Sequence, residues 1–134
     1  TEFQSAIGIS QMKKLPNRIK IKKRIYKMYK EFLSDSKEID FIETDLKNIT
    51  PWMNDILLKN RKITKELIDF LERKQVQTRI FYPPIHKLEP YLRSDKQFKV
   101  STNISERGLW LPSSVNLEDK HIEYICSNIK KFFN

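Results

Sequence analysis

Thr78-Arg79-Ile80-Phe81-Tyr82-Pro83-Pro84-Ile85-His86 decides how this chain is read. A β-branched and aromatic run stops at two prolines, which fix φ and cannot extend a ladder, so a strand must give way here to a stiff loop that presents His86. Arg107-Gly108-Leu109-Trp110-Leu111-Pro112-Ser113 repeats the layout, a short apolar strand closed by proline with a polar side chain beyond it. Such loops suit a ligand better than a core.

The flanking sequence supplies the frame for these two strands. Val76, Thr78, Ile80 and Tyr82 share one strand face, with Arg79 and Phe81 on the other. Before them, Ile63, Leu67, Phe70 and Leu71 predict a helix between Arg61 and Gln75. Ile39 to Ile42 and Trp52 to Leu58 are short strand candidates, the second starting just after Pro51. At the front, Phe3, Ile7, Met12 and Leu15 predict an amphipathic helix with Thr1 as N-cap, which Pro16 interrupts. Ile21, Ile25, Met28, Tyr29, Phe32 and Leu33 then mark a second helix ending near Ser34-Asp35-Ser36. Residues 1–35 thus read as one bent helical arm on a body of 36–134. After His86 and Pro90-Tyr91 the pattern is weak until Leu109. The last helix is the clearest: Asn116 as N-cap, Asp119 at the third helical position, and Leu117, Ile122, Ile125, Cys126, Ile129 and Phe132 as its buried stripe. The order predicts one α+β domain over 1–134, with a small, mostly antiparallel sheet covered by helices.

A chain of 134 residues with eight Phe, five Tyr and two Trp has the aromatics that a packed core needs. No apolar run reaches the roughly eighteen residues that span a bilayer, and the opening residues lack a signal-peptide layout, so the expectation is a soluble, cytoplasmic protein. Cys126 has no second cysteine to pair with and falls on an apolar helix face, where a thiol acts as a small hydrophobe. The net charge of +9 gathers in Lys13, Lys14, Arg18, Lys20, Lys22, Lys23, Arg24, Lys27 and Lys30. A nucleic-acid stripe would look like this, and so would a solvated helix face. Tyr26, Tyr29 and Phe32 recur at core-face spacing and form no exposed stacking platform, which favours the solvated face.

Gly8 and Gly108 are the only glycines, so neither a phosphate loop nor a dinucleotide fingerprint can be built. Two histidines and one cysteine, with His121 among charged helix neighbours, give no basis for a metal site or a Cys-His nucleophile. His86, close in sequence to Tyr82, Lys87 and Tyr91, either faces a ligand or is a loop histidine bonded to a backbone carbonyl. Arg79 either grips a phosphate or carboxylate bidentately or guards an edge strand, and Arg107 has the same two readings.

Four segments, in order, resemble the C-terminal part of the DegT/DnrJ/StrS-type sugar aminotransferases, pyridoxal-phosphate enzymes of the aspartate aminotransferase fold. Thr1 to Leu15 is similar to the family's "T-E-x-Q-A-A-I-G-x-x-Q-L-x-K-L" helix, and Arg61 to Gln75 to its "R-x-x-L-x-x-x-L" helix. Thr78 to His86 resembles its "T-R-x-x-x-P-x-H" loop, and Arg107 to Ser113 its "R-G-L-x-L-P-S" strand. The closing motif looks most like members acting on nucleotide-linked 4-keto-6-deoxy sugars, such as perosamine synthases. One departure is Lys74-Gln75-Val76, where the family ends the helix with Gly. The resemblance implies the small domain of a transaminase that moves an amino group, from glutamate, to a nucleotide-linked keto sugar in polysaccharide or deoxyamino-sugar synthesis. It implies that His86, Arg79, Tyr82 and Arg107 bind substrate, His86 from the loop and Arg79 at the anionic part. The Schiff-base lysine and the other cofactor contacts belong upstream, so no catalytic residue, no pyridoxal phosphate and no turnover are expected of this chain alone. Its implied partners are the missing large domain and a second subunit in a homodimer. A basic nucleic-acid-binding module and a non-catalytic scaffold relative stand as the other readings.

Overall fold

The computed structural model describes all 134 residues. Its first element, α1, is a single 32-residue helix, Glu2–Leu33, which passes straight through Pro16. The expected break is therefore absent. Proline removes one rung, the bond to the carbonyl of Met12, and Met12 is an exposed residue, so water can take up what the ladder loses. The second half of α1 enters the core through Ile25, Tyr26, Tyr29 and Leu33 and packs along the last helix.

Four strands follow: β1 (Ile39–Phe41), β2 (Asn54–Leu58), β3 (Arg79–Ile80) and β4 (Gly108–Leu111). The helix α2 (Arg61–Arg73) separates β2 from β3, α3 (Lys99–Arg107) leads directly into β4, and α4 (Asp119–Phe133) closes the chain. The sheet order is β1-β2-β4-β3, antiparallel throughout. Asn54, Ile56 and Leu58 alternate toward the helices, as do Leu109 and Leu111. They meet Ile25, Tyr29, Leu33, Leu67, Leu71, Ile122, Ile125 and Ile129 in one core. Cys126 lies in it too, and burial pushes its thiol up to about 12, so it packs as a hydrophobe. Pro112 ties the layers, its carbonyl accepting from Tyr29 Oη at 3.0 Å and Asn54 Nδ2 at 3.3 Å.

Three local expectations change. Of the run from Val76 to Tyr82, only Arg79 and Ile80 form ladder pairs; Phe81 N–H adds one bond to the Gly108 carbonyl at 3.2 Å, and Pro83 and Pro84 then offer no donor. Lys99–Arg107 is a helix where the sequence pattern is weak; it buries no residue, so it carries no full apolar stripe. The last helix starts two residues later than Asn116 implies: Glu118 is its N-cap, and His121 Nδ1 accepts the Glu118 backbone N–H at 3.2 Å. At the end of α2, Gln75 takes the left-handed conformation, φ 58°, at the position where the motif it resembles has glycine. Gln75 N–H reaches the Glu72 carbonyl at 2.8 Å and Val76 N–H the Leu71 carbonyl at 2.9 Å, the complete pair of Schellman bonds. The geometry survives the substitution at a cost of about 1–2 kcal/mol. No helix is long and apolar enough to cross a membrane.

Candidate functional site

Pro83 and Pro84 hold the chain extended after β3, and one 3₁₀ turn, Ile85–Lys87, then swings His86 inward. A second such turn, Asp95–Gln97, is capped by Ser94, whose side chain accepts from the Lys96 N–H, and it delivers Asp95 to the same place. His86 is 6 % exposed, with its ring stacked on Phe98 at 4.7 Å. Its Nε2 lies 2.9 Å from Asp95 Oδ1 and 3.1 Å from Thr102 Oγ1. The backbone-carbonyl alternative for His86 does not describe this: it is bonded to side chains, and only Nδ1 is left without a protein partner. Asp95 is the hub. His86, then Lys87 at 3.3 Å, then Thr102 hold its carboxyl below the usual carboxylate range. Lys87 also reaches Glu106, which fastens the loop to α3.

The pinned loop and α3 border an open cavity of about 730 Å³. Phe81, Tyr82, Tyr91 and Phe98 give it aromatic walls, while His86 and Arg93 give it polar ones. The size and the apolar walls with a few convergent polar groups are those of a small-molecule site.

Tyr82 lines this cavity, but not as an extension of the Val76–Ile80 face. Beyond the last paired residue it turns to the opposite face, where its ring meets Trp110 edge-on at 4.9 Å and Phe81 packs on the same indole at 5.0 Å. Phe81 reaches this position because residue 108 is Gly; a Cβ there would run into the Phe81 ring. Arg79 sits across the ladder from Trp110, exposed, beside the cavity and outside its lining. Arg107 lies elsewhere: its guanidinium is engaged by the Leu58 carbonyl, by Asn103 at 3.1 Å and by Asp40 at 3.2 Å, so it clamps α3 to β1 and β2. The structure thus brings His86 and Tyr82 to one cavity, sets Arg79 next to it, and gives Arg107 an internal role. Arg93, Asp95 and Phe98 are the site residues that sequence reading missed, because they sit in a loop with no periodicity. Trp110 had a signal, being the aromatic inside the quoted strand motif.

The basic stripe of α1 is partly spent inside the chain. Lys22 Nζ donates to the Trp52 carbonyl at 2.8 Å and to the Ser113 carbonyl and hydroxyl, and burial pulls its pKa down. Arg24 pairs with Asp119 and Lys30 with Glu43. Tyr26 and Tyr29, the tyrosines of the basic stretch, are buried and offer a nucleic acid no stacking surface.

The fold is the small domain of the aspartate aminotransferase type. A sugar aminotransferase from Streptococcus pneumoniae, Spr1654 in its PMP form, superposes with a TM-score of 0.89 at 16% identity, over 98% of this chain and 35% of its own. PseC of Helicobacter pylori, an aminotransferase of pseudoaminic acid biosynthesis, gives 0.82 at 21% identity, over 98% and 37%. The chain belongs to the DegT/DnrJ/EryC1/StrS aminotransferase family, whose profile matches residues 1–130. GDP-perosamine synthase of Vibrio cholerae is 30% identical over 138 residues, and that of Escherichia coli O157:H7 27% over 134. The chain aligns over its whole length to both and spans 38% and 36% of theirs.

Proposed function

We propose that this chain is the small, cleft-closing domain of a pyridoxal-phosphate aminotransferase that moves an amino group from an amino acid, glutamate, to a keto sugar carried on a nucleoside diphosphate. The product class is a deoxyamino sugar for cell-surface polysaccharide. The observation that carries this reading is the aromatic cavity over His86, built by the loop in which the family motif lies. Aromatic rings suit a sugar or a base, and the Arg93 guanidinium at the rim suits a diphosphate. His86 positions the loop through Nε2 and offers Nδ1 to the sugar. Tyr82 and Arg79 extend the contact surface. Arg107 serves the reading only through the clamp it makes.

When bound, the cofactor supplies the electron sink of transamination. The residues present here do not complete its site. Burial lowers the pKa of Lys22, but three oxygens already hold its ammonium, so it is no free nucleophile. The reading therefore assigns the cofactor and its lysine to the remaining length that the relatives have, and turnover to the whole protein. It also assigns the exposed stripe Phe3, Ile7, Met12 and Leu15 to packing against that part, in a homodimer with cleft and partner close together.

His86→Asn in the full-length protein tests the site. Turnover of the keto sugar is expected to fall at least tenfold while the amino-donor half of the reaction holds. Unchanged sugar kinetics would remove His86 from the site.

A further inference from the structure

The His86 ring is held in two independent ways. Phe98 stacks on it with the ring planes 20° apart, which fixes the plane. Nε2 points at Asp95 Oδ1 from 2.9 Å, which fixes the rotation within that plane. The Arg93 N–H donates to the His86 carbonyl at 3.0 Å, so the two polar residues of the cavity share one loop closure. Nδ1 has no partner in the chain. It is not sealed in either, since Thr78 Oγ1 is the one buried side-chain polar atom left without a hydrogen bond. Nδ1 therefore opens on the cavity that His86 lines.

The protons of this cluster follow by elimination. An ionised carboxylate only accepts, so Nε2 must carry the proton that lies between it and Asp95. Thr102 Oγ1, 3.1 Å from Nε2, does not offer one, because its own proton goes to Asp95 Oδ1 at 3.3 Å. A bare Nε2 would set its lone pair against the carboxylate. With Nε2 protonated, the neutral ring has its lone pair at Nδ1, an acceptor with no proton to give. Such an atom attracts the proton of a hydroxyl and repels the oxygen of a phosphate or carboxylate.

Resting on the aminotransferase reading, we propose that Asp95 is a positioning residue that sets the tautomer of His86, so that Nδ1 accepts from a hydroxyl of the keto sugar while the anionic part is left to Arg93. Asp95 is outside the lining of the cavity and acts through the ring. The carboxylate also polarises the imidazole, which makes Nδ1 a better acceptor than a free histidine would offer. Asp95→Asn is nearly isosteric and reverses the polarity at Nε2. Lys87 Nζ, 3.3 Å from Oδ2, draws the amide oxygen to its own side, and the amide NH2 group then turns toward His86. Nε2 becomes the acceptor and the ring proton moves to Nδ1, where it meets the sugar hydroxyl with the wrong polarity.

Nitrogen NMR of the histidine-labelled full-length protein at about pH 8.5, where an ordinary imidazole is neutral, tests the tautomer. The His86 signals are those lost in His86→Asn. A protonated Nε2 and a bare Nδ1 are expected, and the reverse in Asp95→Asn. In the sugar half-reaction Asp95→Asn is expected to lower kcat/KM at least fivefold, chiefly through KM, with the amino-donor half unchanged. Glu106→Gln loosens the tie between Lys87 and α3 without touching Asp95 or His86, and should alter neither the spectrum nor the sugar kinetics. A change there equal to that of Asp95→Asn would reduce Asp95 to a fastener of the loop and overturn the inference. A wild-type ring protonated at Nδ1 overturns it without any variant. So does a tautomer that survives Asp95→Asn, or a reversed one with sugar kcat/KM within twofold of wild type. Each of these leaves the aminotransferase reading intact, whereas the absence of any sugar transamination by the wild-type protein overturns both.

Discussion

The two halves of α1 carry the same kind of apolar stripe and meet opposite fates. Ile25, Tyr29 and Leu33 are 0% exposed, whereas Phe3 is 76% and Met12 64% exposed. The helix does not change between them; what changes is the neighbour, because α4 lies against the second half. Periodicity states which face of a helix needs cover. It does not state whether the covering surface is among the residues at hand. The chain spans only about a third of its relatives' length, which supports the proposal that the cover lies in the rest.

The sharpest way to break the comparison is to truncate one residue in each half of the 134-residue chain. Tyr29→Ala removes a fully buried ring and the hydrogen bond to Pro112, and is expected to cost about 3–5 kcal/mol in urea unfolding. Met12→Ala removes an exposed side chain and should stay within about 0.5 kcal/mol. In the full-length protein the second value should rise to roughly 2 kcal/mol or more, the cost of a buried methionine. Equal small effects in both settings would show that the bare half packs on nothing.

Alkaline titration separates the halves by a smaller margin. Burial raises the pKa of Tyr29, first by desolvation and then through the nearby Cys126, and it holds the Cys126 thiol at about 12 against 9.0 when unfolded. The unfolded chain loses these protons first. Stability is therefore full below pH 9, falls as pH rises from 9 toward 12, and should be read as a declining urea midpoint. Cys126→Ala removes the thiol's share of the slope and leaves that of Tyr29. A midpoint flat to pH 11 would mean that water already reaches this part of the core.

How much of this was legible depends on how completely each element is buried. The strands around Ile56 and Leu109, α2, and the Ile122–Ile129 stripe of α4 all show in the sequence because a full face of each is covered. Helix α3 does not, since Val100 and Ile104 are too few to make a stripe and Thr102, Asn103 and Ser105 are weak helix formers. It is held by tertiary ties, Arg107 at one end and the His86–Asp95–Thr102 cluster at the other. The site was half legible for the same reason. His86 and Tyr82 were marked by the prolines around them, but their partners Asp95 and Phe98 lie in an aperiodic loop, and Arg107 looks the same in sequence whether it grips a ligand or a neighbouring carbonyl.

Pro16 gives the smallest effect and the most direct reading of the boundary between the halves. Ala in place of Pro restores an N–H for the Met12 carbonyl and removes the ring clash, worth up to about 3 kcal/mol to a helix interior. That gain reaches global stability only if the first half of α1 unfolds together with the core. The exposed stripe argues that in this chain it does not. Pro16→Ala should then deepen the helical signal at 222 nm and slow amide exchange across residues 5–16, while the urea midpoint moves by less than about 0.5 kcal/mol. A midpoint that rises by the full amount would make the whole helix one cooperative unit with the core, and the contrast between its halves would be one of exposure alone.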